Sequence, residues 1–309
     1  MIITGGTEFY CSAKMNMVPL TYYFPWVKGS REERKQWMRE FAEADANHIV
    51  LSSELLGKGC GDTGFLLDFA RDMREFGLDF VDSHALWGTW SDPGMPLAEW
   101  REALLLRHRL AFQFCLRFGV ETMAFHTGNT FNSIFGEKLT PDDYYRALTD
   151  SLEKLLPEAE KCGVIIALEN QWTPLNHSSV MLKVMEYFNS KNLGLCYDTG
   201  HGHLAEQGVN FPETTTVPTI WNDLGVPVKW EERLAEKFSP WMVNCHLHDN
   251  NGSRDDHLLP GQGTVDWARI KEVLHNSPRL RSIQNESSLH GASITEFCRS
   301  FQDLLRDFE

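Results

Sequence analysis

Four side chains able to hold a cation stand at the ends of short apolar runs. Glu169 closes 164–168, Asp198 closes 193–197, His246 closes 242–245 and Glu286 closes 280–285. Three carboxylates and one imidazole make an oxygen-rich donor set for one divalent ion, best suited to Mn²⁺, with Mg²⁺, Co²⁺ and Zn²⁺ as competitors. An ion so placed polarises a carbonyl and holds developing oxyanion charge, which is what removing a proton from the neighbouring carbon requires. A single acid after an apolar run is ordinary surface chemistry, whereas four such ends in succession predict a shared site. More histidines occupy similar positions: His84 in Asp82-Ser83-His84, His126 in Phe125-His126-Thr127-Gly128, and His201 three residues after Asp198. Trp26, Trp87, Trp90, Phe131 and Trp172 follow the same runs, where aromatic faces can stack on sugar C–H groups. Trp37, Trp100 and Trp267 fall inside helical patterns and read as core.

These ends can meet only if the runs are parallel strands of one sheet. Helical periodicity falls at 31–46, 63–76, 97–118, 141–162, 178–190, 229–238, 265–276 and 293–308. The runs between lie at 2–9, 47–52, 78–82, 121–125, 164–168, 193–197, 242–245 and 282–284. Thr140-Pro141-Asp142-Asp143 is a helix start, and Gly77, Gly119 and Gly163 follow helix ends. Strands alternating with helices in eight units imply the α/β class, a (β/α)₈ TIM barrel forming one domain over 1–309. Such a barrel keeps its chemistry at the C-terminal ends of the strands. The segment 205–228, polar and rich in proline and glycine around Trp221, reads as an insertion after the sixth strand, over the C-terminal face.

Composition bounds the rest. The 309 residues are 42% hydrophobic and 23% charged, the make-up of a globular chain able to bury one large core. The seven cysteines are scattered without a C-x-x-C pair, so they read as reduced and buried. No apolar run is long enough to span a membrane and the N-terminus shows no export signal, so a cytoplasmic location is expected. A formal net charge of −14 opposes binding to a phosphate backbone.

Three passages resemble one family: Ala167-Leu168-Glu169-Asn170; Tyr197-Asp198-Thr199-Gly200-His201; and His246-Leu247-His248-Asp249-Asn250 running through Asp255-Asp256-His257 and Gly261-Gln262-Gly263 to Asp266-Trp267. They are similar to the xylose-isomerase-like TIM-barrel superfamily, which holds sugar isomerases and epimerases, some dehydratases and the type-two apurinic endonucleases. The resemblance implies one metal ion on Glu169, Asp198, His246 and Glu286. It implies a sugar isomerase or epimerase working through an enediolate, with Glu169 and Glu286 facing each other across the barrel to remove and return a proton. It sets His84, His126, His201, Arg254, His257, Trp87 and Trp172 against the substrate. The same resemblance carries a rival, because His84, His126 and Asp255-x-His257 match the additional ligands of the endonucleases' three-zinc cluster. The net charge and the lack of Lys/Arg clusters at the strand ends stand against that reading. A keto-polyol dehydratase and a relative cleaving carbon-linked glycosides also stay open. The expected partner is a small sugar or polyol, without nucleic acid or membrane, and the superfamily leaves a homo-oligomer open.

Overall fold

Eight short strands pair edge to edge, in sequence order and all parallel, and the last closes on the first. The computed structural model describes residues 18–128, 140–207 and 216–306. The strands are β1 (Leu20–Tyr22), β2 (His48–Leu51), β3 (Asp79–His84), β4 (Thr122–Phe125), β5 (Ile165–Glu169), β6 (Leu193–Asp198), β7 (Met242–Leu247) and β8 (Ser282–Asn285). Helices connect successive strands, which makes the chain a (β/α)₈ barrel of one domain. The strand expected at 2–9 lies outside the described residues, and the barrel's first strand is β1. It is three residues long and meets β2 at the single pair Tyr22 and Ile49, so it carries almost no period. Phe131 and residues 208–215 of the expected insertion also lie outside the described residues.

Local chemistry fixes the helices around the ring. Ser30 with Glu33, Thr140 with Asp143, and Ser293 with Glu296 form reciprocal caps on the helices Arg31–Glu43, Pro141–Cys162 and Ile294–Leu305. Gly119 and Gly163 end their helices at φ 75° and 71°, a conformation that costs glycine little. Three described helices, Ser53–Gly61, Thr199–Gln207 and Val217–Asp223, fall outside the expected periodic spans; the first has three glycines in nine residues, which weakens its pattern. Apolar faces of helices and strands fuse into one core that includes Phe41, Phe69, Phe112, Leu152, Met181 and Phe301. No described helix is long and apolar enough to cross a membrane.

The barrel interior is polar near its floor. Thr21 Oγ1 donates to Asp82 Oδ2 at 2.9 Å and Asn244 Nδ2 to the same oxygen at 3.3 Å, while the hydroxyls of Thr122 and Ser282 lie 3.3 Å apart. Burial pushes the Asp82 carboxyl up. Ala124, Ala167, Cys196 and Val243 form a small apolar cluster of their own. Strand register then levels the tips: Glu169 pairs with Cys196, and Asp198 with His246.

The loop leaving β3 is pinned from below. His108 Nε2 donates to Ser91 O at 2.7 Å, Ser151 Oγ to Pro93 O at 2.6 Å, and Arg101 Nη1 to the carbonyls of Met95 and Pro96 at 2.9 Å. His108 is fully buried, and burial lowers its pKa to about 4. A folded pKa below the unfolded value of 6.5 means that its stabilisation is complete above pH 6.5 and is lost as pH falls toward 4. Replacing His108 by Phe removes this dependence: the stability difference between wild type and His108→Phe should shrink by about 2 kcal/mol from pH 7 to pH 5 in urea titrations. A difference that stays constant over that range would contradict the buried neutral imidazole.

Candidate metal centre

Four consecutive strands deliver the donors: Glu169 ends β5, Asp198 ends β6, His246 lies on β7 and Glu286 follows β8. One ligand atom from each lies within 4.8 Å of the others. Glu169 and Glu286 are therefore three strands apart, not diametrically opposed as expected, because β5 faces β1 in a ring of eight. Asn170 anchors the set, accepting from Asp198 N at 2.7 Å and donating to Asp198 O at 3.0 Å.

The donor atoms are buried without hydrogen-bond partners: both oxygens of Glu169, Asp198 Oδ2, both ring nitrogens of His246 and Glu286 Oε2. His246 Nδ1 approaches Glu286 Oε2 at 2.8 Å and Glu169 Oε2 at 3.3 Å without hydrogen-bond alignment. Atoms that converge on a point yet leave one another unsatisfied fit a cation among them, since buried carboxylates otherwise find donors.

Around this centre the expected histidines gather. His84 Nδ1 donates to Ala85 O, His201 Nδ1 to Asn170 O and His257 Nδ1 to Glu286 O, at 2.9, 2.9 and 2.6 Å. Each bond fixes a ring and turns Nε2 toward the cleft. His126 Nε2 lies 3.1 Å from Glu169 Oε2 and 3.2 Å from His84 Nε2. Two further sets of donors fall within the same 4.8 Å limit: His84, Glu169 and His246, and a separate set of His201, His248, Asp255 and His257. His248 had no expected role. It is fully buried, its Nε2 is 3.0 Å from Asp198 Oδ1, and its ring stacks on His257 at 4.0 Å. The H-x-H spacing was the available signal, because alternate residues of a strand share a face. A Cβ on Gly200 would overlap the His248 ring, which explains why glycine follows Asp198-Thr199 here.

The centre opens into a cleft of about 650 Å³ lined by His84, Trp87, His126, Trp172, His201, Asp255, His257 and Glu286, among others. Lys28 is the one Lys or Arg among its described lining residues. Trp172 packs edge-on against His201 at 4.9 Å, and its carbonyl accepts from Trp221 Nε1 in the segment between β6 and β7. Ile220 of that segment also lines the cleft. Arg254 is not brought in: its side chain is 75% exposed and pairs with Asp256 at 3.4 Å. The loop after β7 turns instead through Asp249, which accepts from Gly261 N, Val265 N and Trp267 Nε1. Trp26 is core, packed on Phe24 and Phe41, whereas Trp100 is exposed.

Electrostatics match the geometry. Burial raises Glu169, but His126 and His246 outweigh it and hold the carboxyl well below its usual range. Burial works against charge on His246, yet Cys196, Glu286 and Glu169 lift it well above the ordinary imidazole value. His257, opposed by burial and supported by Asp255, rises to about 9. In the absence of a cation, protons on imidazoles neutralise these carboxylates.

A family model described as "Xylose isomerase-like TIM barrel" matches residues 27–279. Uncharacterized protein y4fM of Sinorhizobium fredii is 26% identical over 201 residues, covering 60% of this chain and 56% of its own. The chain spans about half the length of the curated relatives it matches, between 49% and 56%. A solved D-psicose 3-epimerase, crystallised in the presence of D-fructose, aligns over 94% of this chain and 98% of its own with TM-score 0.67 and 11% identity. The IOLI protein with a bound zinc atom aligns over 94% and 97% with TM-score 0.65 and 16% identity. At these identities the structural matches show the fold alone.

Loading a cation should expel the imidazole protons. Titration of the metal-free protein with Zn²⁺ at pH 7 in buffers of different ionisation enthalpy is expected to release at least one proton per ion bound, with affinity falling tenfold or more from pH 7 to pH 5.5. Binding without proton release would contradict the charge balance described.

Proposed function

The chain belongs to the xylose isomerase-like TIM-barrel family, and from that premise we propose that it is a sugar isomerase or epimerase dependent on a divalent cation. The observation that carries the reading is the convergence of unpartnered buried donors from Glu169, Asp198, His246 and Glu286 at the floor of a cleft whose described lining holds one lysine and no arginine. When bound there, Mn²⁺ or Zn²⁺ supplies the charge that acidifies a C–H beside a carbonyl.

This chain's residues do the rest. Glu169, with both oxygens unpartnered, removes the proton, leaving the substrate an enediolate. Glu286, three strands away and taking up a proton from solvent, delivers it to the other face for epimerisation or to the adjacent atom for isomerisation, while Glu169 releases the abstracted proton to solvent. The Nε2 atoms of His84, His201 and His257 meet hydroxyl groups, and Trp172 and Trp87 pack on the ring. A single lysine favours a neutral sugar or polyol over a phosphorylated one. The solved D-psicose 3-epimerase supports the substrate class and the zinc-bound IOLI protein supports a divalent ion.

A second reading has one observation behind it. The set His201, His248, Asp255 and His257 beside Glu169 and Asp198 could hold a second ion, as a metal-assisted phosphodiesterase needs. Such an enzyme would still have to bind phosphate, and the cleft offers Lys28 alone.

Solvent exchange tests the leading reading. Incubated in D₂O with a panel of ketoses and aldoses, the Mn²⁺- or Zn²⁺-loaded protein should place deuterium on the carbon beside the carbonyl of at least one sugar. Glu169→Gln and Glu286→Gln should each slow this by about 10²–10⁴-fold, with metal content measured on the same samples. Exchange at near wild-type rate in either variant would remove the two-carboxylate scheme, and hydrolysis of bis(p-nitrophenyl) phosphate without sugar exchange would favour the second reading.

A further inference from the structure

The four principal donors stand at the ends of β5 to β8. The other half of the barrel mouth, from β1 to β4, also lines the cleft, and among its described lining residues it holds one carboxylate, Glu54. Glu54 sits in the first turn of the helix Ser53–Gly61, which follows β2. The metal chemistry assigns it no task.

Glu54 is held in place. Tyr23 Oη donates to Glu54 Oε1 at 2.6 Å, the short contact expected of a hydroxyl on a carboxylate. Ser53 Oγ donates to Glu54 Oε2 at 3.3 Å. Tyr23 is fixed in its turn, because its amide donates at 2.8 Å to Oδ1 of Asn285, the residue before Glu286. Burial, and after it the hydrogen bond to Glu54, pushes the Tyr23 phenol well above its ordinary range, so it stays a donor. Polar contacts thus run from the end of β8 through Tyr23 to Glu54, along the wall that adjoins the metal centre. A carboxylate fixed before the ligand arrives loses little entropy on binding it.

Its side-chain hydrogen-bond partners among the described residues are both hydroxyls. A carboxylate offers about four acceptor positions, so both oxygens can accept more. Hydroxyl groups of a ligand meet that need, whereas a phosphate or carboxylate sets like charge against Glu54 and leaves its acceptors unmet. A sugar whose carbonyl lies at the metal centre has its remaining hydroxyls free to reach this wall.

We propose that Glu54, positioned by Tyr23, is a specificity determinant of the cleft: it binds hydroxyls at the end of the sugar remote from the reacting carbonyl and turns away sugars that carry a phosphate or carboxylate there. This rests on the sugar reading of the metal cleft and deepens it, by tracing the preference for an uncharged substrate to one side chain.

Calorimetric titration of the intact, Zn²⁺-loaded chain tests the role of Glu54. The probes are D-fructose and D-glucose, each with its 6-phosphate, D-ribose with its 5-phosphate, and 6-amino-6-deoxy-D-glucose. In at least one pair, Glu54→Gln should weaken the free sugar about tenfold and strengthen its phosphate by a similar factor. Zn²⁺ content and the affinity for inorganic phosphate, which reports capture by the ion, should stay at wild-type values. Glu54→Lys should reverse the order within that pair, and Tyr23→Phe should reproduce part of the Glu54→Gln effect. In the exchange assay Glu54→Gln should raise KM while kcat stays within about threefold. Parallel responses of sugar and phosphate, no response of either, or an advantage of the 6-amino sugar over D-glucose that vanishes in Glu54→Gln would each overturn the proposal. Should solvent exchange fail while the opposed shifts appear, the catalytic reading falls and the role of Glu54 stands. Exchange on free sugars with no opposed shifts removes the role of Glu54 alone.

Discussion

Three carboxylates crowded into a water-poor pocket cannot all stay ionised without positive charge among them. Glu169 and Asp198 are fully buried and Glu286 nearly so, and each uncompensated charge there would cost several kcal/mol. Protonated imidazoles meet that need in the free protein, and a divalent cation meets it more completely. Much else near the mouth follows from this requirement: His246 between two glutamates, His201 and His257 sharing Asp255, and Asn170 pinning Asp198.

The barrel is what makes the crowding affordable. Parallel strands, with a register shift between Leu195 and Cys196 where β6 meets β7, bring side chains distant in sequence together at the tips, and a packed lumen keeps them from relaxing inward. In the layer around Asp82, Thr21 and Asn244 donate to one carboxylate oxygen, while Asp82 Oδ1 and Asn244 Oδ1 are left without partners. Function and packing divide along the strand axis, with Thr21, Asp82, Thr122, Asn244 and Ser282 below and the metal-ready donors above. The loop after β3 links the two, since His108, buried in the helical layer, fixes the backbone that carries Trp87 and Trp90.

Much of this was legible in the sequence, for reasons that differ by element. Seven strands were readable as short apolar runs between helical patterns, and six of the runs end on a residue able to do chemistry: His84, His126, Glu169, Asp198, His246 and Glu286. β1 was not, because three residues cannot show a period. The four principal donors were readable as strand ends. Arg254 was misjudged because it sits in an irregular loop where neither period applies, and there its charge goes to Asp256 and solvent. Trp26 and Trp100 exchanged expected places for the same reason: a residue just after a strand can fold back into the core, and the first turn of a helix can face outward. His248 is the second member of H-x-H, a spacing that places it near His246 but does not by itself assign it a partner.

One measurement bears most directly on the idea that these donors share a cation. In crystals of the intact chain grown with Zn²⁺, the anomalous difference map should show a peak roughly 2.0–2.6 Å from donor atoms of Glu169, Asp198, His246 and Glu286 together. A fully occupied ion bound elsewhere, or four side chains left unligated at saturating metal, would contradict it.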